Sequence, residues 1–193
     1  MKKLNVWIKG IAPLLMHDVQ GINPLDKRVK QIKKITAKKP KERTDEDHLQ
    51  MYRLEWDLGL YTGKDGKPMI PAVNVEACIR DTAKKERKGK LVTAGIKVSP
   101  DEIPLIYPGP ETKDALWEEG YYDIRAAGLR GSTVNRCRPR FNNWELKFVL
   151  EYSERDFDDE KIPELLSLSG ATGLGDYRTR YGKFSLMSVE PIK

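Results

Sequence analysis

Residues 173–184 read GLGDYRTRYGKF and bring three glycines, two tyrosines, two arginines and a lysine together in twelve residues. Glycine allows a backbone to curl so that its N–H groups converge on an anion. Arginine adds bidentate contacts to phosphate, and tyrosine adds a ring on which a base can stack. The stretch therefore indicates a phosphate-binding loop. The alternative is a helix that ends at a glycine, followed by a basic turn and an edge strand.

The predicted loop contacts are the glycines, tyrosines and basic residues of this stretch. They are Gly173, Gly175, Tyr177, Arg178, Arg180, Tyr181 and Lys183. Asp176 lies among them, and its negative charge has to be neutralised or turned away if the loop binds phosphate. Arg178 or Arg180 is the expected partner of that carboxylate.

Apolar periodicity on both sides of the loop predicts an antiparallel sheet backed by two helices. Residues 4–10, 144–152 and 184–189 show the apolar pattern of strands. Apolar residues recur on one face at 73–88 and again at 162–168, which is the spacing of core helices. The fold class predicted from these patterns is α+β.

The segment from Gln20 to about Thr44 is dense in lysine and arginine, and its apolar content is small. Like charges repel one another, so we expect a mobile segment that becomes ordered on a polyanion. The alternative is a solvated loop that has no ligand. The candidate contacts in this segment are Lys27, Arg28, Lys30, Lys33 and Lys34.

A second basic stretch lies at 125–140. From Thr133 onward, strand alternation places Arg136, Arg138 and Arg140 on one face. Arginines in such a row need either acidic neighbours or phosphates. Because no acidic run stands nearby in the sequence, phosphate contact is favoured over a ladder of cross-strand ion pairs. The remaining candidate contacts with nucleic acid are Arg80 and Arg130.

Composition restricts the class of protein further. The 193 residues suffice for one sizeable core, and the net charge of +6 favours polyanionic partners. Two cysteines and two histidines do not provide a zinc motif, so we predict free buried thiols, a reducing compartment and no metal or cofactor. Lys9 and Gly10 interrupt the first apolar run, so we expect a cytoplasmic protein without a signal peptide or membrane partner.

Three segments, taken in order, resemble the RAMP superfamily, the ferredoxin-like RNA-binding subunits of CRISPR effector complexes. They are the end of the first strand at 8–15, the Ile-Pro turn and following helix at 69–80, and the glycine-rich loop. The resemblance implies a ferredoxin-like (RRM-like) sheet with two main helices and basic insertions. It further implies one domain over residues 1–193, with a basic insertion at about 20–56 and an arginine-rich one at about 90–140.

The same resemblance implies binding to single-stranded RNA, self-association along a guide RNA and contacts with other effector subunits. The backbone-type subunits of those complexes are the most similar in plan. Small phage or prophage proteins share this plan outside any CRISPR locus. From the residues alone the partner is single-stranded nucleic acid, and the preference for RNA over DNA is what the resemblance implies.

Two other classes of function remain open at this stage. His17 and Asp18 follow the first strand and Asp26 lies a little further on, and a histidine or a metal-holding aspartate can cleave RNA. Because such a pair at a strand end usually has a structural role, no catalytic residue is predicted. The third class is a basic interaction or structural protein of phage origin that docks an acidic partner.

Overall fold

The computed structural model describes residues 1–129 and 132–192. In these residues the chain forms an α+β fold with antiparallel sheets, which confirms the predicted fold class. The strands are β1 (Lys2–Gly10), β2 (Leu14–Leu15), β3 (Met69–Pro71), β4 (Ile96–Ser99), β5 (Glu102–Pro104), β6 (Tyr122–Leu129), β7 (Ser132–Phe141), β8 (Glu145–Tyr152) and β9 (Phe184–Pro191). The helices are α1 (Lys27–Ala37), α2 (Asp45–Gly59), α3 (Ala72–Ala83), α4 (Gly89–Gly95), α5 (Lys113–Glu118) and α6 (Lys161–Thr172).

Two compact units divide the chain. Unit 1 comprises Met1–Leu14, Thr62–Gly109 and Phe141–Lys193, and unit 2 comprises Leu15–Tyr61 and Pro110–Arg140. The two ranges predicted as insertions contribute most of unit 2. The single domain predicted over residues 1–193 stays a prediction.

Unit 1 contains a four-stranded sheet in the order β4-β8-β1-β9. With α3 between β1 and β4, and α6 between β8 and β9, this is the ferredoxin-like arrangement that the resemblance implies. Leu4, Val6 and Ile8 alternate along β1 and are buried. They lie opposite apolar residues of β8 and so form the middle of the core.

The two helices of unit 1 bury matching apolar faces. Val75, Cys78 and Ile79 of α3 are each at most 2% exposed, and Ile162 and Leu166 of α6 are equally buried. α3 packs on α6 and α6 packs on β9. This packing fixes where α6 ends and therefore where the glycine-rich loop begins.

A second sheet has three strands in the order β2-β7-β6. Unit 2 contains α1, α2 and α5 together with β6 and all of β7 except Phe141. Trp56 of α2 is fully buried, and its Nε1 donates to the Tyr121 carbonyl oxygen over 2.8 Å. The Trp117 ring packs edge-on against the Trp56 ring, with 5.7 Å between centroids. The Arg53 guanidinium lies over both rings, so these aromatic residues form a second core.

Residues 27–37 form helix α1, so the prediction of a mobile segment was wrong for this stretch. Asp26 caps the helix by accepting from the Arg28 backbone N–H over 2.8 Å. Val29 and Ile35 are buried, and α1 packs on α2. At the other end, Arg43 donates to the Thr36 carbonyl over 2.8 Å. Sparse apolar residues at helical spacing are sufficient here because both helix ends are satisfied.

Both cysteines, Cys78 and Cys137, are free and buried, as predicted. Burial raises the pKa of each thiol to about 12. At neutral pH both side chains are therefore protonated.

Within residues 1–129 and 132–192, every helix is too short or too polar to cross a membrane. The cytoplasmic location stays a prediction.

Candidate nucleic-acid interface

The loop between α6 and β9 has a repeatedly left-handed backbone. The φ angles are 82° at Gly173, 75° at Gly175, 50° at Tyr177 and 66° at Gly182. The Leu174 N–H donates to the Gly182 carbonyl oxygen over 2.9 Å and joins the two ends of the loop. Between these ends, the chain turns at Tyr177, whose carbonyl accepts from two later backbone N–H groups. The loop is thus a closed and tightly curled segment.

Close backbone contacts hold this loop against the segment that follows β1. The Ile11 N–H donates to the Lys183 carbonyl, and the Gly182 N–H donates to the Pro13 carbonyl, each over 2.8 Å. A Cβ at Gly182 would lie 1.8 Å from the Leu174 carbonyl oxygen. The glycine is therefore required by the backbone approach itself, as well as by its positive φ.

Several backbone donors of the loop are available to an anion. Within the described residues, the N–H groups of Gly175, Arg178 and Thr179 have no acceptor in the protein. Arg178 and Thr179 are exposed. Unsatisfied N–H groups next to residues with left-handed backbone are donors of the kind that can bind phosphate.

Asp81 of α3 brings two of the predicted arginines together. Its carboxylate accepts from Arg178 Nη1 over 3.2 Å, from Arg80 Nη2 over 3.3 Å and from Lys84 Nζ over 2.9 Å. Burial opposes ionisation of Asp81, but the hydrogen bonds from these three cations outweigh it and lower its pKa. The partner of Arg178 is therefore Asp81, whereas Asp176 accepts from the Tyr177 backbone N–H over 2.9 Å.

The other charged loop residues differ in what they contact. Arg180 is exposed and makes no ion pair with any described residue. Lys183 donates to the carbonyl oxygens of Ala171 and Thr172, the last residues of α6. A cation at a helix C-terminus satisfies orphan carbonyls, so Lys183 has a structural role in addition to its predicted one. Tyr177 and Tyr181 are half-buried.

In unit 2, carboxylates contact Arg136 and Arg140 of β7. Arg136 Nη1 donates to Glu55 Oε1, and the other oxygen of Glu55 accepts from the Cys137 N–H over 3.1 Å. Arg140 Nη1 donates to Asp123 Oδ2 over 3.2 Å. No acidic run stands beside these arginines in the sequence because the carboxylate partners of Arg136 and Arg140 come from α2 and β6. Phosphate contact by this row of arginines stays a prediction.

The cations of α1 divide into one paired arginine and four exposed lysines. Arg28 lies between Asp26 and Asp57, with Nη–Oδ distances of 2.7 and 2.8 Å. Hydrogen bonds from Arg28 lower the pKa of Asp26 to about 2, and the same pairing raises the pKa of Arg28. The exposed lysines, which present the predicted cationic face, are Lys27, Lys30, Lys33 and Lys34.

His17, Asp18 and Asp26, the residues considered for catalysis, do not form a metal site together. Asp26 is engaged by Arg28, and Asp18 accepts from Gln20 Nε2 over 2.6 Å. Among the residues that the structure describes, no group of three or more acidic, histidine or cysteine side chains is arranged to hold a metal ion. His17 and Asp18 do line one pocket of unit 2 together with Lys33, Arg136 and Arg138. Arg130 lies outside the described residues.

Trp7 of β1 is an aromatic residue that the sequence did not single out as a candidate contact. Trp7 lies on the face of β1 opposite to the buried Val6 and Ile8, and it is half-buried. Lys147 Nζ lies 4.9 Å from the centroid of the Trp7 ring. The Trp7 Nε1 donates to Glu145 Oε2 over 2.9 Å. The alternation along β1 was the signal, since every second residue must point away from the helices. RRM-type sheets stack bases on this face.

No protein-family model matches this chain, and no curated protein matches it in sequence. A solved structure has a similar fold. It is a chain in the cryo-EM structure of the Type III-B Cmr-beta bound to cognate target RNA. The TM-score is 0.53 at 12% sequence identity, over all of this chain and 61% of that one. The present chain therefore spans less than two thirds of the chain that it matches, and the likeness is one of fold.

Proposed function

We propose that the protein binds single-stranded RNA through its phosphate groups, with the loop Gly173–Lys183 as the primary contact. The observation that carries this proposal is the combination of unbonded N–H groups at Gly175, Arg178 and Thr179 with the exposed side chains of Arg178 and Arg180. Backbone donors and guanidinium groups are the contacts that fix a phosphate. The half-buried ring of Tyr177 offers a stacking surface beside them.

Arg80 extends this basic surface, because Asp81 holds it beside Arg178. The exposed lysines of α1 add a sequence-independent attraction to the strand. Under this proposal, Gly173 and Gly175 give the backbone its curl, and Arg138 is a further phosphate contact in unit 2.

The fold likeness supports a wider setting for the same activity. The matched chain belongs to a Cmr-beta structure that contains its cognate target RNA. We infer that the present chain is a RAMP-like subunit, either of a CRISPR effector complex or of a phage-borne relative. As such a subunit, it self-associates along the strand and meets other effector subunits. The single RAMP-like domain with two basic insertions belongs to the same proposal.

The decisive experiment is fluorescence anisotropy with labelled single-stranded RNA over a salt series. The variant R178A/R180A lacks two arginines that the proposal places on phosphates. It should bind RNA about tenfold or more weakly. The slope of log affinity against log salt should fall by about 1.4, since each phosphate contact contributes about 0.7 to it on a single strand. The matched control is K97A/R155A, which removes the same charge. Lys97 and Arg155 lie near Tyr152, which pairs with Lys2 at the start of β1. The loop enters β9 beside Gly10, at the opposite end of β1.

The proposal is wrong if the protein has no affinity for RNA at low salt, or if the control variant loses as much affinity as R178A/R180A. DNA of the same sequence should bind less tightly, because it lacks the 2′-hydroxyl. Binding to an acidic protein without affinity for either strand would instead favour the interaction-protein class.

Self-association has its own test. Nuclease-protected RNA that copurifies with the protein should show footprints in multiples of one length if copies assemble along a strand. A single footprint length at every protein concentration would contradict assembly while leaving RNA binding intact.

A further inference from the structure

A pocket of about 600 Å³ lies within unit 2. Its walls come from the segment after β2 and from α1, α2, β6 and β7. Small-molecule sites in proteins occupy roughly 300–1,000 Å³, so this pocket has the volume of a ligand site. Its lining has three chemical parts, and together they define the ligand.

Cations form the first part. Lys33, Arg136 and Arg138 all line the pocket. Glu55 accepts one N–H of Arg136, and a guanidinium has five N–H donors, so Arg136 keeps donors for a second acceptor. Three cations around one cavity favour an anionic group such as a phosphate.

An apolar surface forms the second part. Val29 and Leu58 are 8% and 5% exposed and give the pocket a rigid wall. Val19 and Ile22 also line it, yet they are 67% and 79% exposed. Large apolar side chains that remain open beside a cavity indicate a ligand with an apolar face.

Hydrogen-bond acceptors form the third part. Asp18 and Glu55, which carry carboxylates, also line the pocket, together with His17. An apolar anion such as a fatty acid requires only cations and an apolar wall. The edge of a nucleobase presents amino and ring N–H donors as well, and these match carboxylate acceptors.

We propose that this pocket binds one nucleotide of the RNA strand, an inference that rests on the proposed function. The base packs against Val29, Leu58 and the exposed Val19 and Ile22, with its edge towards Asp18. The phosphate binds Arg138 and Lys33. Bases of a single strand are readily unstacked and turned out, so such a pocket can take a nucleotide without opening a duplex.

The test is a titration of the ¹⁵N-labelled full chain, followed by the chemical shifts of its backbone amides. The probes are AMP, adenosine and inorganic phosphate, used separately. AMP should shift the amides of Ile32, Leu58 and Arg138 more strongly than either fragment does. R138Q should bind AMP about tenfold more weakly, as expected for loss of a charge-assisted hydrogen bond, while K97A/R155A binds it as tightly as the wild type.

The outcomes separate this proposal from RNA binding by the loop. If AMP shifts the pocket amides but no strand binds in the anisotropy assay, the pocket is a site for a free nucleotide, and both the proposed function and the placement of an RNA nucleotide in the pocket fail. If RNA binds and R178A/R180A weakens it, while AMP leaves the pocket amides unchanged, the pocket proposal is overturned. It is also overturned if phosphate alone reproduces the AMP shifts, or if a hexaglutamate peptide shifts these amides and AMP does not. The titrations of the wild-type chain test the pocket proposal even if R138Q does not fold.

Discussion

Arg178 of the glycine-rich loop and Asp81 of α3 form an ion pair, with 3.2 Å between Nη1 and Oδ2. Arg80 and Lys84 share the same carboxylate. A single acidic side chain thus orients three cations at one edge of the proposed RNA surface, and it also neutralises part of their charge. Orientation and charge make opposite contributions to RNA affinity, so they can be separated by changing only the charge.

Exchanging Asp81 for asparagine should raise RNA affinity. The lowered pKa of Asp81 keeps it ionised at neutral pH, so D81N adds one net positive charge beside the loop while preserving the shape of the side chain. At 0.1 M salt we expect an increase of about threefold to fivefold by anisotropy, and a steeper salt slope. E154Q makes the same charge change at the other end of β1 and should have little effect. Weaker binding by D81N would mean that orientation of the arginines matters more than charge.

Loss of Asp26 should destabilise unit 2 in a pH-dependent way. Its pKa is about 2, below the ordinary value, so its stabilising contribution is complete above about pH 4 and is lost as the pH falls towards 2. D26A removes both the helix cap and the pairing with Arg28 and should cost about 1–2 kcal/mol at pH 7. Urea unfolding at pH 7 and pH 3 should show a smaller difference at the lower pH. D26N keeps a good cap and should cost less; an equal loss at both pH values would contradict the assignment.

The exposed lysines of α1 should contribute to RNA binding without sequence preference. K30Q/K34Q should reduce the salt slope by about 1.4 and weaken binding to all sequences alike. K64Q/K97Q, two exposed lysines of unit 1, is the matched control. An unchanged slope in K30Q/K34Q would remove α1 from the proposed surface.

Comparing alanine variants of two glycines with similar φ angles measures the free energy of unfolding that depends on the close backbone approach between Gly182 and Leu174. Gly182 and Gly66 have φ of 66° and 82°, but only Gly182 would place a Cβ against backbone, whereas Gly66 has open space around it. G66A should cost about 1–2 kcal/mol for the left-handed backbone alone. G182A should cost at least about 3 kcal/mol, because the contact between Leu174 and Gly182 must open. Equal unfolding free energies for the two variants would contradict this geometry.

The two thiols should be inert in the folded protein. Burial raises the pKa of Cys78 and Cys137 to about 12, so neither forms a thiolate at pH 8. A thiol-reactive chromophore should label both residues in urea and neither in buffer. Rapid labelling of one thiol in buffer would show that its part of the core opens readily.

Three strands of the unit 1 sheet, β1, β8 and β9, were predictable because they have a simple period, whereas β4 was not predicted. Leu4, Val6 and Ile8 alternate with polar or amphipathic residues, and one buried face imposes that pattern on any sequence. The sequence left Gly170 and Gly173 as candidate ends of α6, because a positive φ after a helix favours glycine, and the helix ends at Gly173.

Contacts between residues distant in sequence were not predictable in this way. Glu55 and Arg136 are 81 positions apart, and nothing local to either indicates the other. The same holds for Asp81 and Arg178, which are 97 positions apart. Helix α1 was missed because its charge density outweighed three apolar residues, although Asp26 before it was a capping signal.

The central strand of unit 1 has a consequence for how the protein is made. β1 is synthesised before its two neighbours, β8 and β9. Leu4 can pair only after Leu150 and then Pro191 have been synthesised. A ribosome that adds roughly 5–20 residues per second leaves this apolar strand unpaired for roughly 7–30 seconds. Residues 15–61 and 110–140 of unit 2 emerge meanwhile. The nascent chain therefore has an interval in which a chaperone, or a strand from another chain, competes with the native partners of β1.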